Sequence, residues 1–325
     1  MRSSREGWEI KQGDALSVLK TMPDQSINTC VTSPPYWGLR DYGVDGQLGL
    51  EPTPAEYVAN LVEVFREVRR VLRDDGTLWL NLGDSYASVH TGGQKSPKST
   101  VGSNMPGVQE IRQPKANPQE YGLKDKDLVG IPWRVAFALQ ADGWYLRSDI
   151  VWHKPNAMPE SVTDRPTKAH EYIFLLAKSR RYFYDADAIR EPHAEASIAR
   201  WSDGGEDTDN TKYRKERPDT SVGNLRNGSN PLHPAGRNKR TVWTVPTQPF
   251  PEAHFAVYPP ALITPCILAG CPVGGTVLDP FAGSGTTLLV ATQHHRKSIG
   301  IELNPEYVEI AKRRLNSVQL RLVME

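Results

Sequence analysis

The chain has 325 residues, with 39 Lys and Arg against 38 Asp and Glu, a formal net charge of +1. That length suits one large α/β domain with insertions, or two domains, and the balanced charge neither demands nor excludes nucleic acid. No apolar run approaches a membrane span, and the start Met1-Arg2-Ser3-Ser4-Arg5-Glu6 is unlike a signal peptide. The cysteines Cys30, Cys266 and Cys271 are odd in number and lack zinc-ligand spacing. A soluble, cytoplasmic protein is expected, with no membrane contact, no metal and no disulfide framework.

Trp8 to Asp14 alternates like a short strand ending in a turn, and Ala15 to Met22 continues as a helix. Asp14 at that junction reads equally as a helix N-cap and as a ligand contact. Ser26 to Val31 is a buried-strand run that delivers Thr32-Ser33-Pro34-Pro35-Tyr36-Trp37 at its carboxyl end. Two consecutive prolines make this loop stiff and leave it presenting carbonyl oxygens. Trp37 to Leu50 is a glycine- and aspartate-rich loop. Pro54 to Arg73 is a long amphipathic helix whose Tyr57, Leu61, Val64, Phe65, Val68, Val71 and Leu72 form a core stripe. Asp74-Asp75-Gly76 is expected to end it, and Thr77 to Leu82 is the next strand.

Residues 85–122 are poor in apolar side chains and too long for an ordinary connection, which predicts a flexible loop. Helix returns over Leu128 to Gln140, strand over Tyr145 to Trp152, and strand again over His170 to Ala177. Residues 185–240 are polar and broken by Gly and Pro. Between 212 and 240 stand Lys212, Arg214, Lys215, Arg217, Arg226, Arg237, Lys239 and Arg240 against Glu216 and Asp219, a local excess of six positive charges. Such a segment is either a solvated insertion or a nucleic-acid-binding one. Order resumes from Thr241, with a helix over Ala261 to Gly270 and a last helix from Glu306 to Leu315.

Between those helices lies Asp279-Pro280-Phe281-Ala282-Gly283-Ser284-Gly285-Thr286-Thr287, preceded by Thr276-Val277-Leu278 and followed by Leu288-Leu289-Val290-Ala291. This is strand, glycine turn, helix, and such a turn lies where open α/β sheets bind ligands. A phosphate-binding Walker loop needs a lysine after its last glycine, and Thr286 stands there. A dinucleotide loop needs a third glycine, which is also missing. Glu302, 17 residues after Gly285 at the end of Ser298-Ile299-Gly300-Ile301, can accept both ribose hydroxyls of a nucleoside cofactor.

Asp279 to Gly285 with Gly300-Ile301-Glu302 resembles the S-adenosyl-L-methionine site of amino-group DNA methyltransferases, and Thr32 to Trp37 resembles their catalytic motif. The catalytic motif precedes the cofactor motif, as in the β group of that family. The resemblance implies an α/β fold with a doubly wound, mostly parallel, Rossmann-like sheet, circularly permuted and carrying polar insertions for DNA recognition. It also implies that Asp279, Phe281, Gly283, Ser284, Gly285, Thr286 and Glu302 bind S-adenosyl-L-methionine, with Asp14 beside its adenine and Phe255 over its methionine end. Ser33, Pro34, Pro35 and Tyr36 form the catalytic loop, where acceptors on the amino hydrogens favour the nucleophilic form of a flipped base and Tyr36 stacks on the ring. Trp37, Trp152, Lys154 and Asn156 border the base pocket. His153 takes no catalytic role, because the proton leaves an already cationic, methylated amine.

The resemblance does not extend over the polar middle; there the basic excess makes 185–240 the candidate target-recognition insertion, with Arg214, Lys215, Arg226, Arg237, Lys239 and Arg240 expected to reach double-stranded DNA, between the catalytic-domain segments 1–184 and 241–325. Ser33 leans the target to N4 of cytosine, with N6 of adenine as the alternative and an RNA or protein amide as a further one. The Ser-Pro-Pro-Tyr loop has no thiol, which disfavours methylation of cytosine carbon 5. A homodimer and a separate restriction endonuclease partner are both compatible with the sequence.

Overall fold

The computed structural model describes residues 7–88, 117–202, 232–248 and 257–324. They fall into two compact units, Met1–Asp185 with Thr241–Glu325, and Ala186–Arg240. The strands of the first unit are β1 (Trp8–Gln12), β2 (Ile27–Thr32), β3 (Leu72–Leu82), β4 (Tyr145–His153), β5 (His170–Ala177), β6 (Val242–Thr244), β7 (Thr276–Asp279) and β8 (Lys297–Glu302). Among the described residues they form one sheet in the order β1-β8-β7-β2-β3-β5-β4-β6. β5 runs antiparallel to β3 and β4, and every other pairing is parallel.

The helices of this unit are α1 (Ala15–Lys20), α2 (Pro54–Val71), α3 (Ile131–Ala141), α5 (Pro260–Gly270), α6 (Thr286–Gln293) and α7 (Pro305–Met324); α4 (Glu195–Ser202) belongs to the second unit. α1 packs on α2 and α2 on α3, while α5 packs on α6 and α6 on α7, so the sheet is wound on both faces. Coverage on both faces explains why Thr77 to Leu82 of β3 are all buried. None of the described helices is long and apolar enough to cross a membrane.

α2 shows how local sequence sets these elements. Thr53 caps it by accepting from the Glu56 amide at 3.2 Å, and Pro54 opens it with its fixed φ. Its buried face is Tyr57, Leu61, Val64, Phe65, Val68 and Val71. The helix stops two residues before the expected Arg73, and Asp74-Asp75-Gly76 does not form a separate turn. Leu72 is already extended, and β3 pairs from there, Ile27 with Leu72 and then Thr29 with Thr77. The extra residues between those pairs bulge out of the ladder. Leu72 itself joins the core as a strand residue.

The two ends of the chain meet in the sheet. β1 pairs in parallel with β8, Gln12 opposite Glu302. From β7 the chain proceeds through β8 towards the β1 edge, whereas from β2 it proceeds to β3 in the opposite direction. The direction of winding therefore reverses between β7 and β2. That junction is the place where an open α/β sheet leaves a crevice at its strand ends.

Candidate active site

Asp279 ties the junction together. It ends β7, is 1% exposed, and accepts from Thr32 Oγ1 at 2.6 Å across the gap to β2. Thr287 Oγ1 donates to it at 2.6 Å, the Tyr258 hydroxyl at 3.0 Å and the Phe281 amide at 3.1 Å. Burial pushes its carboxyl above the usual range, and these bonds pull it back. Asp279 thus fixes the loops after β2 and β7 relative to one another.

Those loops open into one cavity of about 310 Å³, a size in the range of small-molecule and cofactor sites. One end is walled by Gly13, Asp14, Phe281, Gly283, Ser284 and Glu302. Glu302 accepts from the Gly283 amide on one oxygen and from the Asn304 amide on the other, both at 2.8 Å. Burial raises its carboxyl above the ordinary glutamate range, against the pull of these amides. The Glu302 carbonyl accepts from the Gly13 amide at 2.9 Å, which brings Asp14 to the same wall. Asp14 caps α1 by accepting from the Ser17 amide at 2.8 Å, and it also lines the cavity.

Thr286 lines the cavity, and Arg314 from α7 donates to Thr286 Oγ1 at 3.2 Å and to the Ser284 carbonyl at 2.7 Å, bracing the turn from behind. Sequence reasoning did not single out Arg314. Spacing along α7 offers no sign that one of its arginines turns back to the glycine loop.

The other end is walled by Ser33, Pro34, Pro35, Tyr36, Trp152 and Lys154, joined by Asn81 and Glu171. Tyr57 from α2 donates to the Pro35 carbonyl at 2.8 Å and so anchors the Pro-Pro loop to the core. The ring of Tyr36 lies against Gly83, where an added Cβ would stand 2.6 Å from its Cε2. Trp152 donates to the Val245 carbonyl at 2.7 Å, and Lys154 Nζ sits 4.2 Å above the centre of its ring.

Four expected contacts fall elsewhere. Asp279 lies beneath the cavity wall, its carboxylate already engaged by the donors above. Gly285 (φ 80°) serves packing, since a Cβ there would meet Ala311 Cβ of α7 at 2.9 Å. Trp37 turns into the core, 6% exposed, with Nε1 donating to the Glu51 carbonyl at 2.9 Å and its ring edge-on to Tyr121. Asn156 holds Thr247, a wall residue, by a reciprocal pair of 3.1 and 2.9 Å bonds, and is itself off the wall.

Phe255, Arg214, Lys215 and Arg226 lie outside the described residues. In the Ala186–Arg240 unit, Arg237, Lys239 and Arg240 gather around Glu191, at 3.4, 3.7 and 3.0 Å from its carboxylate. His153 Nδ1 faces Thr244 Oγ1 at 3.2 Å.

A family model described as DNA methylase matches residues 27–313. Type II methyltransferase M.Cfr9I of Citrobacter freundii is 48% identical over 317 residues, covering 98% of this chain and 90% of the relative. Among solved structures, the PvuII DNA methyltransferase (cytosine-N4-specific) aligns with a TM-score of 0.59 at 19% identity, over 95% of this chain and 88% of that one. A Thermus thermophilus protein solved with S-adenosyl-L-methionine aligns with a TM-score of 0.56 at 23% identity, over 95% of each chain. At these identities the structural likeness is one of fold.

Proposed function

Because the chain belongs to the DNA methylase family, we propose that it transfers a methyl group from S-adenosyl-L-methionine to the exocyclic N4 of cytosine in duplex DNA. The observation that carries this reading is the joining of the Ser33–Tyr36 loop and the Phe281–Glu302 wall in one cavity, with Asp279 pinning both. A related fold binds S-adenosyl-L-methionine, and another belongs to a cytosine-N4-specific enzyme. Ser33, where an aspartate is more often associated with adenine, supports cytosine.

The cofactor end suits a nucleoside. Glu302 has both oxygens oriented by backbone amides and keeps lone pairs free for ribose hydroxyls, while Asp14 stands beside it for the adenine. When bound, S-adenosyl-L-methionine supplies an electrophilic methyl on its sulfonium. Ser33 and the Pro34 carbonyl accept the amino hydrogens of a flipped base, and Tyr36 stacks on its ring. The rate comes mainly from positioning and from desolvation of the reacting groups. Cys30, 0% exposed and with its thiol pushed up by burial, is no candidate for covalent attack on the base.

Burial has a consequence for pH. The Glu302 carboxyl is raised, so on acidification it takes up a proton earlier than an exposed glutamate would. Cofactor affinity is therefore expected to be full above the raised pKa and to weaken as pH falls through it. Titration calorimetry across mildly acidic pH checks this, and Glu302→Gln should bind weakly at every pH. An affinity independent of pH would remove the ribose role.

The Ala186–Arg240 unit is the proposed target-recognition insertion, with Arg237, Lys239 and the 68% exposed Arg240 near DNA phosphates. The deciding experiment is mass spectrometry of nucleosides from a random-sequence duplex library incubated with enzyme and cofactor. N4-methylcytosine is the expected product. N6-methyladenine would keep the mechanism and correct the base, and no methylated nucleoside would refute the reading. In the same assay Arg237→Ala/Arg240→Ala should raise KM for DNA without changing the product, and an unchanged KM would remove their role.

A further inference from the structure

On the base side of the cavity, hydroxyls from one loop form a directed chain that ends in a carboxylate from another element. Ser33 Oγ donates to the Tyr36 hydroxyl at 3.2 Å. That hydroxyl stands 2.8 Å from Glu171 Oε2 and 3.1 Å from Asn81 Oδ1. A phenol has one proton, and the nearer, anionic acceptor takes it. Burial pushes the Tyr36 phenol well above its ordinary range, so it stays a neutral donor.

Glu171 is held by further partners. Asn81 Nδ2 donates to its Oε2 at 3.1 Å, and the Lys154 ammonium donates to its Oε1. Its place follows from topology. β5 runs against its neighbours, so its first residues arrive where the parallel strands end, and Glu171 pairs with Trp152 of β4. Asn81 lies near the end of β3, paired with Ile173.

The direction of the protons matters because the amine to be methylated is itself a donor. With its proton committed to Tyr36, Ser33 Oγ can offer a lone pair to the cavity. If the Tyr36 proton were free to turn towards Ser33, the serine proton could turn into the cavity and oppose the amino hydrogens. We propose that Glu171 is a positioning residue that fixes proton direction along Ser33, Tyr36 and Glu171, keeping Ser33 an acceptor for the target amine. The proposal rests on the amino-methyltransferase reading above and adds to that site a carboxylate acting through another residue.

The test compares wild type, Glu171→Gln, Tyr36→Phe and the double variant in steady-state methylation and in cofactor titration. Glutamine keeps the shape but its amide group can donate, and phenylalanine keeps the ring but breaks the chain. Glu171→Gln is expected to lower kcat on the order of 10²-fold, with cofactor Kd and KM for DNA within about twofold of wild type. The double variant should be no slower than Tyr36→Phe alone, because a chain broken once has nothing left to lose. A wild-type kcat in Glu171→Gln, or losses that multiply in the double variant, would overturn the proposal. So would loss of cofactor binding in Glu171→Gln, which would make the residue part of the pocket's frame. A wild-type protein that methylates no DNA would instead fail the functional reading itself.

Discussion

Tyr36→Ala is expected to lower kcat by roughly 10³-fold or more while leaving cofactor affinity unchanged. Two losses combine. Stacking of a flipped base on an aromatic ring is worth about 1–3 kcal/mol, and the hydroxyl that orients Ser33 disappears with the ring. Cofactor binding should survive because the other wall is built by different residues, Phe281 to Ser284, Thr286 and Glu302, and because the Pro-Pro backbone has its own anchor in the Tyr57 bond to the Pro35 carbonyl. Single-turnover methylation alongside calorimetry separates the effects. Retained turnover would refute the stacking role, and lost cofactor binding would show that Tyr36 supports the whole pocket.

Asp279→Ala should act through stability instead. It would leave Thr32 Oγ1, Thr287 Oγ1, Tyr258 Oη and the Phe281 amide without their shared acceptor in a buried place. Orphaned donors of this kind make a loss of about 3 kcal/mol the expected scale. For a unit of this size, with an unfolding entropy of about 2.1 cal/mol/K per residue, that corresponds to a fall in Tm of about 5 °C. Cofactor binding should weaken as well, because the Phe281 turn loses its tether to β2. Differential scanning calorimetry with and without cofactor checks both. A Tm within a degree of wild type would show that the four donors find other partners, and Asp279 would lose its place as the pin of the site.

The order of the two motifs made much of the fold legible. A cofactor-type turn near the chain's end and a catalytic loop near its start require β7 and β2 to be neighbours if they serve one pocket, and they are. Depth was less legible. Asp279 and Gly285 belong to the motif by sequence, yet one lies under the wall and the other packs on Ala311, because a run of nine residues at a tight turn points its side chains in several directions. Trp37 follows Tyr36 directly and still turns into the core.

Glu171 was hidden for a different reason. In His170-Glu171-Tyr172-Ile173-Phe174 it reads as the polar start of a buried strand, and only the antiparallel insertion of β5 between β3 and β4 brings it to Tyr36 and Lys154. The one available signal was a carboxylate at the mouth of an otherwise apolar run. The end of α2 was misplaced because Leu72 suits the helix stripe and the strand equally, and pairing with Ile27 decides for the strand.

The central claim is that both ends of the chain build one nucleoside site at the junction of β7 and β2. A crystal structure with S-adenosyl-L-methionine bound tests it most directly. The account predicts the ribose hydroxyls on Glu302, the adenine beside Asp14, and the methyl directed at the space in front of Ser33 and Pro34. A cofactor bound away from Glu302, or with its methyl turned from Ser33, would contradict it.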